Sequence, residues 1–240
     1  MSEVLSVVIG IQARSGSRRF PKKVFAKIGS KTVLEHVIDA ANSSASYLNQ
    51  YSDKNKYFVS VALCVPAGDP IKEAFHNKIK IVEGPEHDVL GRYIKLLDET
   101  NADYLVRITA DCPLIPSFVI SSHIAKAVMN RMDYISNVDE RCRTAPDGWD
   151  CEVISEELLR HANNYASHPC DREHVTTYIR SNPPEWAKVG AVVSFLDLSH
   201  LKISLDTEAE YKTISEEVAK VEKALSSAIG LFGKRNTHRL

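Results

Sequence analysis

Short apolar runs and stretches of helical periodicity alternate along this chain. Runs rich in β-branched residues predict strands near residues 5–12, 57–65, 79–82, 103–109, 133–136 and 189–194. Apolar positions spaced three and four apart predict helices near residues 32–46, 70–76, 88–100, 116–130, 155–166, 171–181 and 207–228. This alternation is typical of an α/β protein, in which helices cover both faces of a mostly parallel sheet.

The first predicted strand ends in a loop that combines small residues with cations. Ser15, Gly16 and Ser17 let successive backbone N–H groups converge on an anion. The same loop carries five cations, which are Arg14, Arg18, Arg19, Lys22 and Lys23. Ligands of open α/β sheets bind at the carboxyl ends of the strands, so we expect a polyphosphate here rather than an ordinary solvated basic loop.

Two aspartates follow later predicted strands. Asp111 comes after the strand that ends at Thr109, and Asp206 follows a short apolar run and precedes a helix capped by Thr207 with Glu210. A single aspartate at such a position is commonly a helix cap or a turn residue. Two acids that face one phosphate loop also suit Mg²⁺, which is held by one or two carboxylates together with phosphate oxygens of the substrate.

Composition limits the classes of function. A chain of 240 residues with formal net charge −1 predicts a single domain and no nucleic-acid partner, because a dedicated nucleic-acid binder would present a broad basic face. Five cysteines without a Cys-x-x-Cys pair suggest neither a disulfide framework nor a zinc site. The absence of a long apolar run and of a leader pattern argues against a membrane association, so we expect a cytoplasmic protein.

One further segment resembles a P-loop but lacks its essential residues. The segment Gly29-Ser30-Lys31-Thr32 lacks the upstream glycine and the Gly-Lys pair of a P-loop. Thr32 and Glu35 instead form the pattern of a capping box at the start of the first helix.

Five sequence blocks resemble the cytidylyltransferase family that includes spore coat polysaccharide biosynthesis protein F, a relative of the acylneuraminate and Kdo cytidylyltransferases. The blocks occur in the family's order over about residues 5–215. They are Ile11-Gln12-Ala13-Arg14-x-Gly16-Ser17-x-Arg19-x-Pro21-x-Lys23-Val24, Arg107-Ile108-Thr109-Ala110-Asp111-Cys112-Pro113-Leu114-Ile115, Pro146-Asp147-Gly148-x-Asp150-x-Glu152, Arg172-Glu173-His174-Val175-Thr176 and Leu205-Asp206-Thr207-Glu208. One such block would be a weak signal, whereas five in order are specific.

The resemblance implies a Rossmann-like (GT-A-like) nucleotidyltransferase domain over residues 1–230, with an acceptor and dimerisation lobe inserted at about 139–200, and a basic tail at 231–240. It implies Mg²⁺-dependent transfer of CMP from CTP to a sugar acid or a phosphorylated polar metabolite, with release of pyrophosphate, for surface polysaccharide biosynthesis such as capsule, lipopolysaccharide or spore coat. It also implies a homodimer.

The resemblance assigns the following roles. The catalytic residues are Lys23, Arg19 and Asp111, and the metal ligands are Asp111 and Asp206. The nucleotide-binding residues are Ala13, Arg14, Ser15, Gly16, Ser17, Arg19, Lys23 and Arg107. The acceptor-binding residues are Asp147, Trp149, Asp150, Glu152, Arg172, Glu173 and His174.

Three of these assignments have alternatives. Arg107 either contacts the nucleotide or forms a structural ion pair, since strand geometry does not separate the two. Arg172 and Glu173 also fit an ordinary surface pair. His174 is either a general base or a packed histidine.

Two other functions compete with the cytidylyltransferase. A GT-A-like glycosyltransferase has a similar fold but would carry an Asp-x-Asp metal motif, and this chain reads Asp111-Cys112-Pro113 at that place. A non-catalytic nucleotide-binding module is the other alternative. The chain also departs from the usual signature at Ser15, where Met is common, at Lys22, where Gly is common, and at Ile203, where an aromatic residue is frequent.

Overall fold

The computed structural model describes residues 4–51 and 57–235. The strands are β1 Leu5–Gln12, β2 Lys27–Ile28, β3 Lys31–Thr32, β4 Tyr57–Pro66, β5 Lys80–Gly84, β6 Tyr104–Thr109, β7 Tyr134–Ser136, β8 Glu152–Ser155 and β9 Val189–Ala191. The helices are α1 Val33–Tyr51, α2 Ile71–Phe75, α3 Val89–Thr100, α4 Ser117–Asn130, α5 Glu156–Tyr165, α6 Pro169–His174, α7 Thr177–Ser181 and α8 Glu208–Arg235, with a short 3-10 helix at Lys23–Phe25.

Seven strands form one sheet in the order β5-β4-β1-β6-β8-β7-β9. All neighbours are parallel except β8, which is antiparallel to both β6 and β7. From β1 the chain moves outward through β4 and β5 and then returns to β6 on the other side of β1. The switch point of the sheet therefore lies between β1 and β6, where ligands of such sheets bind at the carboxyl ends of the strands.

Two apolar layers cover the sheet, as the alternation of strands and helices predicts. On one face, Val7, Ile9 and Ile11 of β1 pack with residues of α1 and α4. On the other face, Val8 packs with residues of α3 and α5. The prediction of a mostly parallel sheet with helices on both faces is therefore confirmed.

A third, smaller cluster fixes the start of α8. Ile28 and Val33 of the β2–β3 hairpin region pack against Leu205 and Ile214. The Tyr211 hydroxyl donates to the Lys27 carbonyl at 2.7 Å. These contacts hold the segment around residue 206 beside the segment that follows β1.

Several elements differ from the sequence prediction. The pattern missed β8 because this strand has only four residues and includes the buried Glu152. The short β2–β3 hairpin was also missed. Helix α1 extends to Tyr51, and α8 reaches Arg235, so it includes the first half of the tail predicted at 231–240. Residues 236–240 of that tail lie outside the described residues.

The predicted helix at 171–181 is two helices. Val175 between them has φ 64° and ψ −59°, and the Thr176 N–H donates to the His174 carbonyl at 2.6 Å. This i to i+2 bond closes a γ-turn of the rarer, strained class, which ends α6 before α7 begins. Within the described part of the chain, no helix has both the length and the apolar character needed to cross a bilayer.

Candidate active site

The loop after β1 is closed by a backbone hydrogen bond and is anchored by the carboxylate of Asp69. The Lys22 N–H donates to the Ser15 carbonyl at 3.0 Å. The Ser15 N–H and hydroxyl donate to the Asp69 carboxylate at 2.8 and 3.1 Å. Ser15 is thus engaged by the buried Asp69, whereas Gly16 and Ser17 line the adjacent cavity. Asp69 is a supporting residue that the sequence analysis missed.

Lys22 has a left-handed backbone conformation, with φ 58° and ψ 23°. A Cβ atom makes this conformation unfavourable, whereas glycine adopts it readily. The left-handed backbone at position 22 therefore explains why glycine is common there in the signature that this chain resembles.

The two predicted metal-binding aspartates lie together because two distant segments share a hydrogen bond. The Leu205 N–H donates to the Asp111 carbonyl at 2.8 Å. The Lys23 ammonium nitrogen lies 3.0 Å from Asp111 Oδ2 and 3.6 Å from Asp206 Oδ1, and it also donates to the Leu205 carbonyl. Lys23 is 8 % exposed, so this ammonium group bridges both carboxylates with little access to water.

The charge around Asp111 favours its ionised form. Burial raises the pKa of this carboxyl group, but the Lys23 ammonium group and hydrogen bonds outweigh burial, so its pKa lies below the ordinary value. Asp111 is therefore a carboxylate at neutral pH.

Asp206 is also surrounded by cations. Arg19 Nη2 lies 3.0 Å from Asp206 Oδ1, and Lys202 Nζ lies 3.1 Å from Asp206 Oδ2. Glu210 accepts hydrogen bonds from the Asp206 and Thr207 N–H groups at 2.8 Å each. The reciprocal bond from the Glu210 N–H to the Thr207 hydroxyl completes a capping box, as predicted, and fixes Asp206 at the start of α8.

These groups line one cavity of about 520 Å³ at the switch point of the sheet. It contains eight residues with predicted site roles, which are Arg14, Gly16, Ser17, Arg19, Lys23, Asp111, Glu173 and Asp206. Its other lining residues are Gln12, Arg18, Val24, Glu86, His87, Thr109 and Ala110. The sequence analysis did not assign roles to Glu86 and His87, although they follow β5 at the same edge of the sheet.

Ala13 and Arg107 lie behind this cavity. Ala13 is buried, and its N–H donates to the Cys64 carbonyl at 3.1 Å. Arg107 forms an ion pair with Glu152, which is 1 % exposed, and donates to Gln12 Oε1 at 3.1 Å. Of the two interpretations of Arg107, the structure shows the ion pair.

Glu152 therefore lies inside the sheet rather than on a wall of the cavity. Burial raises the pKa of this carboxyl group, but Arg107 and the hydrogen bonds from Tyr134 and Thr176 outweigh burial and lower it. The cause of this placement is the antiparallel pairing of β8, which sets Glu152 directly opposite Arg107.

Asp147 and Asp150 take part in a tightly folded segment. Asp147 accepts from the Ser204 hydroxyl at 3.0 Å, and its backbone bonds to Leu201 and Ile203. Asp150 pairs with Arg143, although burial is the larger influence and raises the Asp150 pKa. The structure therefore places both acids in internal contacts and outside the lining of the large cavity.

Trp149 lines a separate cavity of about 190 Å³. Its ring meets Phe118 edge-on, with 6.0 Å between the ring centroids. Trp149 is thus not brought together with Lys23 and the acid pair.

The predicted block at 172–174 divides between two roles. Arg172 donates to both oxygens of Asp88, at 2.8 and 2.9 Å, and so ties α6 to the N-cap of α3. Glu173 lines the large cavity, whereas His174 is exposed and outside its lining. Arg172 therefore fixes the position of α6, the helix that places Glu173 in the lining of the large cavity.

The donor set of the large cavity suits Mg²⁺. Asp111 and Asp206 place carboxylate oxygens on two sides of the Lys23 ammonium group. One or two carboxylates, together with water and phosphate oxygens, are the ligands that Mg²⁺ prefers in proteins. Among residues 4–51 and 57–235, no group of three or more His, Cys, Asp and Glu side chains is arranged to hold a metal. An ion held by these two carboxylates would take its remaining ligands from water and the substrate.

Comparisons with known proteins identify the family and the fold of this chain. The family model described as "Cytidylyltransferase" matches residues 7–237. The spore coat polysaccharide biosynthesis protein SpsF of Bacillus subtilis is 27 % identical, over 89 % of this chain and 85 % of that protein.

Two solved structures share the fold. A cytidylyltransferase from Leptospira borgpetersenii has a TM-score of 0.75 at 25 % identity and covers 93 % of this chain and 96 % of its own. A CMP:2-keto-3-deoxy-manno-octonic acid synthetase complexed with CTP has a TM-score of 0.65 at 14 % identity and covers 90 % of this chain and 99 % of its own. At its lower identity, the second structure supports the fold alone.

Proposed function

The chain belongs to the cytidylyltransferase family, and we propose that it transfers CMP from CTP to a small acceptor in a Mg²⁺-dependent reaction that releases pyrophosphate. The observation that carries the proposal is the position of Lys23, whose ammonium group bridges Asp111 and Asp206 at the edge of the phosphate loop. The family assignment favours this activity over that of a glycosyltransferase.

The phosphate end of the cavity is electrostatically suited to a triphosphate. Arg14, Arg18 and Arg19 line it from one loop, together with Gly16 and Ser17. Arg19 and Lys23 are the groups that hold the β- and γ-phosphates, and Arg14 stands where the triphosphate enters. Hydrogen bonds between charged partners are stronger than neutral ones, so these cations contribute most of the phosphate affinity.

Asp111 and Asp206 are the residues that would hold Mg²⁺. The bound ion would offset the negative charge at the α-phosphate and on the departing pyrophosphate. Arg19 and Lys23 now neutralise these acids, and a triphosphate offers both cations a second set of anionic partners. The two cations therefore exchange carboxylate contacts for phosphate contacts when the nucleotide binds.

Catalysis rests mainly on positioning and charge. An oxygen of the acceptor attacks the α-phosphorus of CTP, the bond from that phosphorus to the bridging oxygen of the pyrophosphate breaks, and pyrophosphate leaves. In such transfers the protein supplies little covalent chemistry and works by orientation and electrostatic stabilisation. The Lys23 ammonium group holds the β- and γ-phosphates in this proposal, so it stabilises the charge that develops on the leaving pyrophosphate.

The acceptor belongs to the class of sugar acids or phosphorylated polar metabolites that serve surface polysaccharide synthesis. Two similar proteins motivate this class: the spore coat polysaccharide biosynthesis protein SpsF and the CMP:2-keto-3-deoxy-manno-octonic acid synthetase. Glu173 is the residue of the predicted acceptor set that lines the large cavity, so it is the one placed to accept hydrogen bonds from acceptor hydroxyl groups.

A pyrophosphate-release assay tests the proposal. Purified protein is incubated with Mg²⁺ and each of the four nucleoside triphosphates, with and without a panel of sugar acids and phosphorylated polyols. We expect release that requires CTP and one class of acceptor. Binding of CTP without any release across the panel would favour the non-catalytic nucleotide-binding module instead.

A homodimer in the cytoplasm completes the proposal. The segment after β9 exposes Val193, Phe195 and Leu196, with Phe195 fully exposed, beside the 190 Å³ cavity that Trp149 lines. Apolar patches of this kind mark association surfaces, and we assign this one to a second copy of the chain. Sedimentation should show a dimer that Phe195→Ser weakens, and a wild-type monomer would exclude it.

A further inference from the structure

Gln12 lines the large cavity at the switch point of the sheet, between β1 and β6. Gln12 is the last residue of β1 and pairs in register with Thr109, the last residue of β6. Both residues line the cavity. Gln12 also directly precedes the loop that contains Arg14, Gly16 and Ser17, so a nucleotide whose phosphates lie on this loop has its nucleoside close to Gln12.

Arg107 fixes the orientation of the Gln12 amide. Nη2 of Arg107 donates to Gln12 Oε1 at 3.1 Å. A guanidinium group has only hydrogen-bond donors, so it binds the amide oxygen and cannot pair with the amide NH₂ group. The NH₂ group therefore points away from Arg107, and it makes no hydrogen bond with the residues that the structure describes.

The Arg107 side chain is itself held in place. It forms an ion pair with Glu152, which also accepts a hydrogen bond from the Tyr134 hydroxyl at 2.6 Å. Glu152 and Tyr134 are buried, at 1 % and 2 % exposed. A buried network in which the charges are paired holds one arrangement, so the Gln12 amide presents donors and no acceptor to the ligand.

We propose that Gln12 determines which pyrimidine base the cavity accepts and that Arg107 is its positioning residue. This inference rests on the proposed function, since it concerns the nucleotide of that reaction. Cytosine offers O2 and N3 as hydrogen-bond acceptors, which suit the Gln12 NH₂ group. Uracil carries a proton on N3, so the same group meets a donor.

Glu86 supplies the complementary group on the same cavity. Its carboxylate lies 3.9 Å from the Arg14 guanidinium group and lines the cavity beside the phosphate loop. A carboxylate accepts from the exocyclic amino group of cytosine and repels the O4 carbonyl of uracil. One donor from Gln12 and one acceptor from Glu86 therefore match cytosine and mismatch uracil.

Calorimetric titration of CTP and of UTP in the presence of Mg²⁺ tests the role of Gln12 without requiring the acceptor. The wild type should bind CTP at least about tenfold more tightly than UTP, because the mismatch leaves buried polar groups unpaired. Gln12→Met, which keeps the length but removes the donor, should reduce the CTP preference. Gln12→Glu should reduce it further than Gln12→Met does, because a carboxylate repels N3 of cytosine and accepts from the N3 proton of uracil, while Glu86 still favours cytosine. Glu86→Gln should also reduce the preference.

The outcomes separate the two proposals. A wild type that binds neither nucleotide would overturn the proposed function and this inference with it. A wild type that prefers CTP, together with Gln12 variants that keep the same ratio of dissociation constants, would overturn the inference alone. So would a wild type that binds CTP and UTP equally.

Arg107→Lys tests the positioning role. A lysine keeps a positive charge for Glu152, but its donors sit on one nitrogen, whereas Arg107 uses Nη1 for Glu152 and Nη2 for Gln12. The amide is then free to turn, so the CTP preference should fall while the protein remains folded by circular dichroism. A lower melting temperature with an unchanged ratio of dissociation constants would show that Arg107 is structural only.

Discussion

The backbone N–H of Leu205 donates to the carbonyl oxygen of Asp111 at 2.8 Å, and this bond joins the chain segments that carry Asp111 and Asp206. Asp206 follows Leu205 directly, so its carboxylate lies opposite that of Asp111. Lys23 donates to the Leu205 carbonyl and to Asp111 from the phosphate loop. Three segments that are distant in sequence thus meet around one ammonium group.

Replacing Lys23 should remove the centre of this arrangement. Lys23→Met leaves two carboxylates without their shared cation and removes a charge that stabilises the leaving group, so turnover should fall about 100-fold or more. Pyrophosphate release measures this loss. Lys27→Met is the matched control, because Lys27 is an exposed lysine of the neighbouring strand. A folded Lys23→Met protein with turnover close to that of the wild type would contradict the role of Lys23.

Gly148→Ala should destabilise the segment that carries Asp147. Gly148 has φ 112°, and a Cβ atom there would lie 2.7 Å from the Ser204 backbone nitrogen. We expect a loss of about 3 kcal/mol in the free energy of unfolding, measured by urea denaturation, from strained backbone and steric overlap together.

Gly68→Ala separates these two contributions. Gly68 has φ 74°, but a Cβ atom there would have nothing within 4 Å. Gly68→Ala should therefore lower the free energy of unfolding by about 1 kcal/mol, from backbone strain alone. Equal losses in the two variants would show that the approach of Gly148 to Ser204 contributes nothing.

Lys22→Gly should raise stability. The left-handed conformation of Lys22 disfavours any residue with a Cβ atom, so glycine should increase the free energy of unfolding by about 0.5–1 kcal/mol. Lys22→Ala removes the charge but keeps the Cβ atom, and it should bring no such gain. If alanine and glycine stabilise equally, the effect comes from charge and not from conformation.

The buried His123 should make stability depend on pH. It is 2 % exposed and its Nδ1 lies 2.7 Å from the Val119 carbonyl, and burial lowers its pKa from 6.5 to about 4. Because the folded-state pKa is the lower one, the unfolded chain takes up the proton first. The contribution to stability is complete above about pH 6.5 and is lost as the pH falls toward 4.

Denaturation at several pH values measures this contribution. The difference in unfolding free energy between the wild type and His123→Gln should shrink by roughly 2–3 kcal/mol from pH 7 to pH 4. A constant difference over that interval would mean that His123 does not titrate differently in the folded and unfolded chains.

The sequence was informative where the chemistry is local. The cations and small residues between Arg14 and Lys23 adjoin a strand that the apolar pattern already predicts, and the Thr207 and Glu210 capping box marks where Asp206 stands. Such features depend on neighbours in sequence, so they were predicted together with the parallel sheet.

The sequence was less informative where the partner is set by topology. Glu152 meets Arg107 only because β8 enters the sheet antiparallel to β6, and four residues give too short a pattern to predict this pairing. Trp149 faces the smaller cavity because Gly148 turns the segment against residues 203 and 204. Neither outcome follows from the residue types in the block 146–152.

Calorimetric binding of CTP, with and without Mg²⁺, tests the central claim most directly. The wild type should bind CTP more tightly when Mg²⁺ is present, because Asp111 and Asp206 hold the ion against the phosphates. The double variant Asp111→Asn and Asp206→Asn should remain folded and lose this dependence on Mg²⁺. A wild type that does not bind CTP with Mg²⁺, or a double variant that keeps the full Mg²⁺ dependence, would contradict the assignment of this cavity.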